Sequence, residues 1–350
     1  MFTSKVWVWT WRTVNKEKVP SVLNRSCSDL SIVKTHLEVP TFCDIHVDVP
    51  CKVRIRPLNV HKYHNLNAFL LQTDQKYDNA IEHYVDGNKV IVKGDKNLHP
   101  NTLCSIKAPV KANIDVKAGN DVSIGFFHGD KVKINTEGNI FVDRFQGDVV
   151  DVSTKGNIIL NNSIQASSIL ATAYNGSIRT GRLQALNLKL KTINKGDISV
   201  DSSYCSESIF VVENGNMNLN NIHKNCKIFL VKGNLVLTGF DGELSAIINS
   251  GSADIHLSRI IANSDITLKD NGKLNLKFTD SCQDYTKFKV VCPNVTLSEN
   301  IKSDISKIEN AVVLQPTEGQ FDASVLINCQ NAALESTTWH EMVQMKLKNK

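Results

Sequence analysis

No apolar run in this 350-residue chain approaches the ~18 residues that a membrane helix needs, so no transmembrane segment is expected. Aromatic residues are scarce, at 7%, which leaves few rings to stack on sugars, and the four tryptophans fall at positions 7, 9, 11 and 339. The nine cysteines (27, 43, 51, 104, 205, 226, 282, 292, 329) contain no C-x-x-C pair and no even spacing. That pattern argues for free thiols in a reducing compartment. Cys205 and Cys226 stand at matching places in neighbouring repeats and could approach each other, but a zinc site needs about four convergent ligands.

Also missing are a phosphate-binding Walker loop, a dinucleotide fingerprint, H-E-x-x-H, the calcium-binding G-G-x-G-x-D series and a G-x-S-x-G elbow. His61 and His64 in "HKYHN" have only Cys51 and Asp74 near them as further ligands, and read as part of a surface loop. His223 and His256 read as members of polar turns. No catalytic, cofactor-binding or metal-binding residue is therefore assigned, and the expected protein is not an enzyme.

Positive charge is concentrated at one end. Lys5, Arg12, Lys16, Lys18 and Arg25 against Glu17 give residues 1–28 a charge of +4 out of the total of +5, which leaves the body nearly neutral. A nucleic-acid binder carries a basic face, so nucleic acid is not an expected partner. The first 28 residues are basic, rich in Ser and Thr and almost free of acids, the composition of a mitochondrial transit peptide. A mitochondrial location is expected, with a cytoplasmic one as the alternative if this segment is a disordered tail.

What is present is a repeat. From residue 119 onward, Gly, a small polar residue and an aliphatic recur as "GNDV", "GNIF", "GNII", "GSIR", "GDIS", "GNMN", "GNLV", "GSAD" and "GKLN". One Gly per repeat (138, 156, 176, 196, 215, 233, 251, 272) gives steps of 18 to 21 residues. Each repeat holds two short alternating runs, such as "DISVDS" and "SIFVVEN", which argue for strands. The inward positions are Ile140/Val142, Ile158/Leu160, Ile178/Thr180, Ile198/Val200, Met217/Leu219, Leu235/Leu237, Ala253/Ile255/Leu257 and Leu274/Leu276. Ser199, Asn218 and Val236 face outward in this register.

Two strands cannot bury their own apolar face, but stacked repeats can. The fold expected is all-β: a β-solenoid of two-strand coils over residues 111–280. Its glycines supply the positive φ of sharp turns, and the Asn, Asp and Ser after them (Asn139, Asn157, Asp197, Asn216, Asn234, Ser252) stack as a polar ladder. Around it are expected a targeting or disordered segment (1–28), a β-rich N-terminal cap (29–110) with an Asp86-Gly87 hairpin, and C-terminal capping strands (281–350). In that last region residues 309–330 read as a hairpin, with Trp339 covering the final coil.

The stretch "CSIKAPVKANIDVKAGNDVSIGFFHGDKVKINTEGNIFVDRFQGDVVDVSTKGNIILNN" resembles the putative-adhesin β-solenoid domain family, over about residues 100–280. The resemblance implies architecture and carries over no activity. Outward Asp143, Asp151, Asp201, Asp241, Asp254, Asp265 and Arg179 are the groups a carbohydrate-processing solenoid would use, but they alternate with neutral residues as a solvated face does. The expected function is a structural or interaction protein that presents a rigid surface to a protein partner, with Phe141, Ile159 and Val236 as a candidate apolar patch and no oligomeric state specified. A carbohydrate-binding or carbohydrate-processing β-helix is the alternative.

Overall fold

The computed structural model describes residues 32–338, apart from 60, 62–66, 75–78, 309, 318–320 and 322, together with residue 341. The targeting segment 1–28, Cys27, His64 and Trp339 lie outside the described residues. In chain order the strands are β1 (Ile32–Glu38), β2 (Phe42–Val49), β3 (Lys52–Pro57), β4 (Ala68–Asp74), β5 (Ile81–Asp86), β6 (Lys89–Gly94), β7 (Leu103–Ala108), β8 (Lys111–Ala118), β9 (Val122–His128) and β10 (Lys131–Thr136). They continue as β11 (Ile140–Gln146), β12 (Val149–Thr154), β13 (Ile158–Gln165), β14 (Ser168–Ala173), β15 (Ile178–Thr192), β16 (Ile198–Asn214), β17 (Met217–Asn220), β18 (His223–Lys232), β19 (Leu235–Ser250) and β20 (Ala253–Ile260). The last are β21 (Ser264–Leu268), β22 (Lys273–Thr279), β23 (Thr286–Val291), β24 (Asn294–Leu297), β25 (Asp304–Ile308), β26 (Ala311–Gln315), β27 (Ala323–Asn328) and β28 (Asn331–Thr337), with one short helix, α1 (Asp280–Tyr285), after β22.

These strands stack as a β-solenoid with two faces. The face that follows the glycines runs β3–β9–β11–β13–β15–β16–β17–β19–β20–β22, every pair parallel, with the register shifting at irregularities in β11–β13, β13–β15 and β19–β20. The other runs β2–β8–β10–β12–β14–β15–β16–β18–β19–β21, also parallel. The long strands β15, β16 and β19 belong to both because they bend round the edge without a break. Register alone builds the core: Ile140, Ile158, Ile178, Ile198, Met217, Leu235, Ala253 and Leu274 form one column, and every inward residue expected from the repeat is buried. Each large aliphatic so buried contributes about 1.5–3 kcal/mol. Ile198→Ala is expected to cost about 2–5 kcal/mol in a urea melt, whereas Val236→Ser, at a site 42% exposed, stays within about 0.5 kcal/mol.

The polar ladder is present and has a direction. The Asn139 main-chain N–H donates to Asp121 Oδ1 (2.8 Å), Asn157 to Asn139 Oδ1 (3.0 Å), Ser177 to Asn157 Oδ1 (2.9 Å) and Asp197 to Ser177 Oγ (3.0 Å). It continues from Asn216 to Asp197 Oδ1 (2.7 Å), Asn234 to Asn216 Oδ1 (3.0 Å) and Ser252 to Asn234 Oδ1 (3.2 Å). Each short side chain thus satisfies a turn N–H of the next coil, which water or a costly unmade bond would otherwise have to meet.

Both ends depart from the expected boundaries. β2 and β3 already belong to the parallel stack, so the division at residues 110/111 has no counterpart in the pairing. The coil β6/β7 lies outside them, parallel to β2 and β3, and antiparallel β5, with its Asp86-Gly87 turn at Gly87 φ 60°, and antiparallel β4 and β1 complete that end. At the other end β26 and β27 do not form the expected hairpin. β26 pairs antiparallel with β23 and β25. β27 and β28 instead turn back into the stack: β27 lies between β21 and β23, and β28 between β22 and β24, all parallel. The last described strands are therefore an inner coil. A strand before and after such a re-entry has the same local alternation, so only the spatial path distinguishes the two arrangements.

Candidate functional site

The edge where the first face bends into the second carries one side chain per coil. His128, Gln146, Gln165, Gln184 and Tyr204 are in register on neighbouring strands, and His223, Asp241 and Arg259 continue the row. The Tyr204 and His223 rings stack at 4.7 Å with 14° between planes, His223 Nδ1 lies 3.8 Å from Asp241 Oδ2, and Arg259 grips Asp241 through Nε (2.9 Å) and Nη2 (3.3 Å). A second row beside it holds Phe126, Arg144, Ser163 and Arg182, again in register. The Arg144 guanidinium sits 5.3 Å from the Phe126 ring centre, and that of Arg182 sits 5.1 Å from that of Tyr204.

Ring contact fixes an arginine without using its hydrogen-bonding edge, so Arg144 and Arg182 present donors to solvent. Both are exposed, and neither makes an ion pair among the described residues. With coils about 4.8 Å apart, two intervals separate them by roughly 10 Å. Asp143, next to Arg144 in sequence, is occupied in accepting from Asn161 Nδ2 (3.2 Å) and Asn162 Nδ2 (2.7 Å).

The sequence holds a trace of this edge, since its eight residues return every 18 to 20 positions like the glycines. Gln146, Gln165 and Gln184 repeat one residue type, but the other five positions change chemistry from coil to coil, so periodicity of residue type marks only part of the row. His223 and His256 correct the turn expectation: both lie in strands, and His256 is buried with Nε2 3.3 Å from Thr337 Oγ1. Phe141 and Ile159 adjoin in register, but Val236 does not join them, because Arg179, Ser199 and Asn218 intervene.

The outward carboxylates do not form an acid pair. In register Asp151 lies between Lys133 and Leu170, Asp254 between Val236 and Asn275, and Asp265 between Ser245 and Leu326, while Arg179 falls between Ile159 and Ser199. Asp241 is held by Arg259, and Asp201 is an exposed side chain. This arrangement does not support carbohydrate processing. Nor are the thiols activated as nucleophiles: burial pushes Cys43 and Cys51 up to about 11 and Cys282 and Cys329 up to about 12, and also raises Cys104, Cys205 and Cys226. All eight described cysteines are buried and free. Cys205 and Cys226 each neighbour Ser208, whose hydroxyl lies 3.2 Å from that of Ser203, and among the described residues no group of three or more His, Cys, Asp or Glu could hold a metal. His61 is exposed on its loop.

One family model matches residues 86–310, more than half of the chain. The chain belongs to the Toastrack DUF4097 family. This Toastrack protein is similar in structure to a "putative adhesin" of Parabacteroides distasonis ATCC 8503, with 10% identity, 88% of this chain and 98% of that one covered, and a TM-score of 0.39. A "putative adhesin" of Parabacteroides merdae ATCC 43184 is 15% identical, with 71% and 89% covered and a TM-score of 0.36. A "putative lipid binding protein" of Parabacteroides distasonis ATCC 8503 is 11% identical, with 87% and 97% covered and a TM-score of 0.26. At such scores, what those proteins bind says nothing of this Toastrack chain. No curated protein matches it.

Proposed function

We propose that the protein is a non-catalytic interaction module whose coil edge docks an extended, acidic segment of a protein partner. The observation that carries this reading is the pair of ring-supported guanidiniums, Arg144 and Arg182, exposed without carboxylate partners on a rigid stack. Charge-assisted hydrogen bonds to such groups are the stronger kind, and a stack of constant pitch suits an extended ligand. Gln165 Nε2 donates to Gln184 Oε1 (2.5 Å), which leaves the Gln146 amide, the second Gln165 N–H and the Gln184 N–H groups to meet a peptide main chain. The mitochondrial location belongs to the same proposal and is supported by the composition of residues 1–28. Within the family, the Gly-Asx-Ile marks resemble the animal protein called family with sequence similarity 185 member A, a likeness that adds no activity.

The test is proximity labelling from a tag at Lys350, with microscopy, comparing the parent chain with the R144E/R182E variant. A mitochondrial signal and a small set of neighbours rich in acidic segments are expected. Reversing two contact charges should reduce recovery of those neighbours about 10- to 100-fold while leaving the thermal melt unchanged. Equal recovery by both forms would remove the edge from consideration, and a secretory or surface signal would overturn the location.

A further inference from the structure

The re-entrant coil brings together two cysteines that are 37 residues apart in the chain. Cys292 follows the last residue of β23 and Cys329 the last residue of β27, and those strands are parallel with Val291 opposite Asn328. The next pair in that register is Cys292 with Cys329. The Cys329 main-chain N–H donates to the Val291 carbonyl (3.3 Å), which keeps the two segments side by side beyond the strand ends. The register thus sets Cys292 beside Cys329, and Cys292 Sγ lies 3.2 Å from the Asn294 carbonyl oxygen. Both thiols, 5% and 6% exposed, line an open cleft of about 540 Å³ with Leu268, Pro293, Asn310 and Gln330.

Neighbouring strands place paired Cα atoms about 4.8 Å apart, inside the ~4.4–6.8 Å range that a disulfide spans. We propose that Cys292 and Cys329 are a thiol–disulfide pair that exchanges with small disulfides of the glutathione class and, when oxidised, fastens the re-entrant coil to the coil outside it. In the first step one cysteine loses its proton and attacks a sulfur of oxidised glutathione, so that glutathione's S–S bond breaks, one glutathione thiol leaves and a mixed disulfide remains. The second cysteine, deprotonated in turn, attacks the protein sulfur of that mixed disulfide and releases the second glutathione. The protein loses two electrons and two protons, and one glutathione disulfide becomes two thiols. Burial holds Cys329 high, so exchange is slow and is read at equilibrium.

The other close pair supplies a contrast. Cys104 is opposite Val53, so Cys51 is offset from it by two residues along the strand. That separates their Cα atoms by roughly 8 Å, beyond the reach of an undistorted bond. The test uses the full chain carrying C27S, so that only the eight buried cysteines remain, equilibrated in glutathione buffers of increasing oxidised fraction. The expected product has lost two protons by intact mass, carries no glutathione, and yields one linked Cys292–Cys329 peptide. Its melting temperature should rise by roughly 5 °C, as expected for a loop of this length in a chain of this size. The linked peptide and the rise should both be absent from C292S and from C329S. An unchanged mass at the most oxidising ratio, a persistent glutathione adduct, or a linked pair formed by other cysteines would overturn the proposal.

Discussion

Gly233→Ala and Gly251→Ala should each remove most of the folded protein, and Gly156→Ala should lower its stability measurably. A Cβ on Gly156 would lie 2.7 Å from the Gly138 carbonyl oxygen, and one on Gly233 or Gly251 would fall still closer to the carbonyl of the glycine one coil before it. Those oxygens belong to the main chain of a rigid parallel stack and cannot move aside as a flexible side chain could. The Thr154 hydroxyl already donates to the Gly138 carbonyl, which closes the remaining space. Overpacking alone costs about 1–3 kcal/mol. At Gly233 (φ 145°) and Gly251 (φ 134°) a backbone region unfavourable to alanine adds about 1–3 kcal/mol more. Together these approach the stability of a whole domain, about 5–15 kcal/mol.

The series separates two explanations of the repeat. Gly156, Gly176 and Gly272 do not have the left-handed φ of Gly233, yet each meets the preceding glycine's carbonyl in the same way. If φ were the reason for the mark, Gly156→Ala would be tolerated. If close approach of successive coils is the reason, it too is destabilised, by about 1–3 kcal/mol. Gly87 is the control: its φ is 60°, nothing lies within 4 Å of an added Cβ, and Gly87→Asn should change stability by less than about 1 kcal/mol. Circular dichroism during urea unfolding reads the whole set. A Gly156→Ala melt matching that of the parent would return the explanation to φ.

Deleting residues 323–350 should be as damaging, for a topological reason. In an ordinary solenoid the last coil peels away and leaves the others paired. Here β27 and β28 join β21 and β22 to β23 and β24, so their loss leaves β23 with only β26 as a partner and β24 with none among the described strands. It also bares the apolar inner rim of β21 and β22, including Ile266, Leu274 and Leu276, and two parallel edges open to other chains. The truncated protein is expected in the insoluble fraction, and any soluble remainder should be cut by protease within residues 286–322. A soluble product with one cooperative melt, resistant throughout that stretch, would show that β27 and β28 are dispensable.

Apart from Gln146, Gln165 and Gln184, the candidate edge was hidden in the sequence because its residues share a position without sharing a chemistry. Asn139, Asn157, Asn216 and Asn234 repeat one residue type and are legible as a ladder. Gln184, Tyr204, His223 and Asp241 occupy an equally regular row, but a ring, an imidazole and a carboxylate do not announce one another. Their relation exists only once the coils are stacked and Arg182 comes over Tyr204.

The repeat length, the inward column from Ile140 to Leu274 and the Asx ladder are all legible in the order of residues along the chain. Each coil touches only its immediate neighbours, so local alternation and one turn mark are enough to set the register. The order of the terminal coils is set by the stacking in space: β2 and β3 lie inside β6 and β7, and β27 and β28 inside β23 and β24. The same stacking decides that the glycines are required by the approach of the preceding coil, and that Cys292 meets Cys329. A strand carries the same alternation wherever it enters a parallel stack. Which gap it fills depends on where the rest of the chain has left an unpaired edge, and a one-dimensional pattern does not record that.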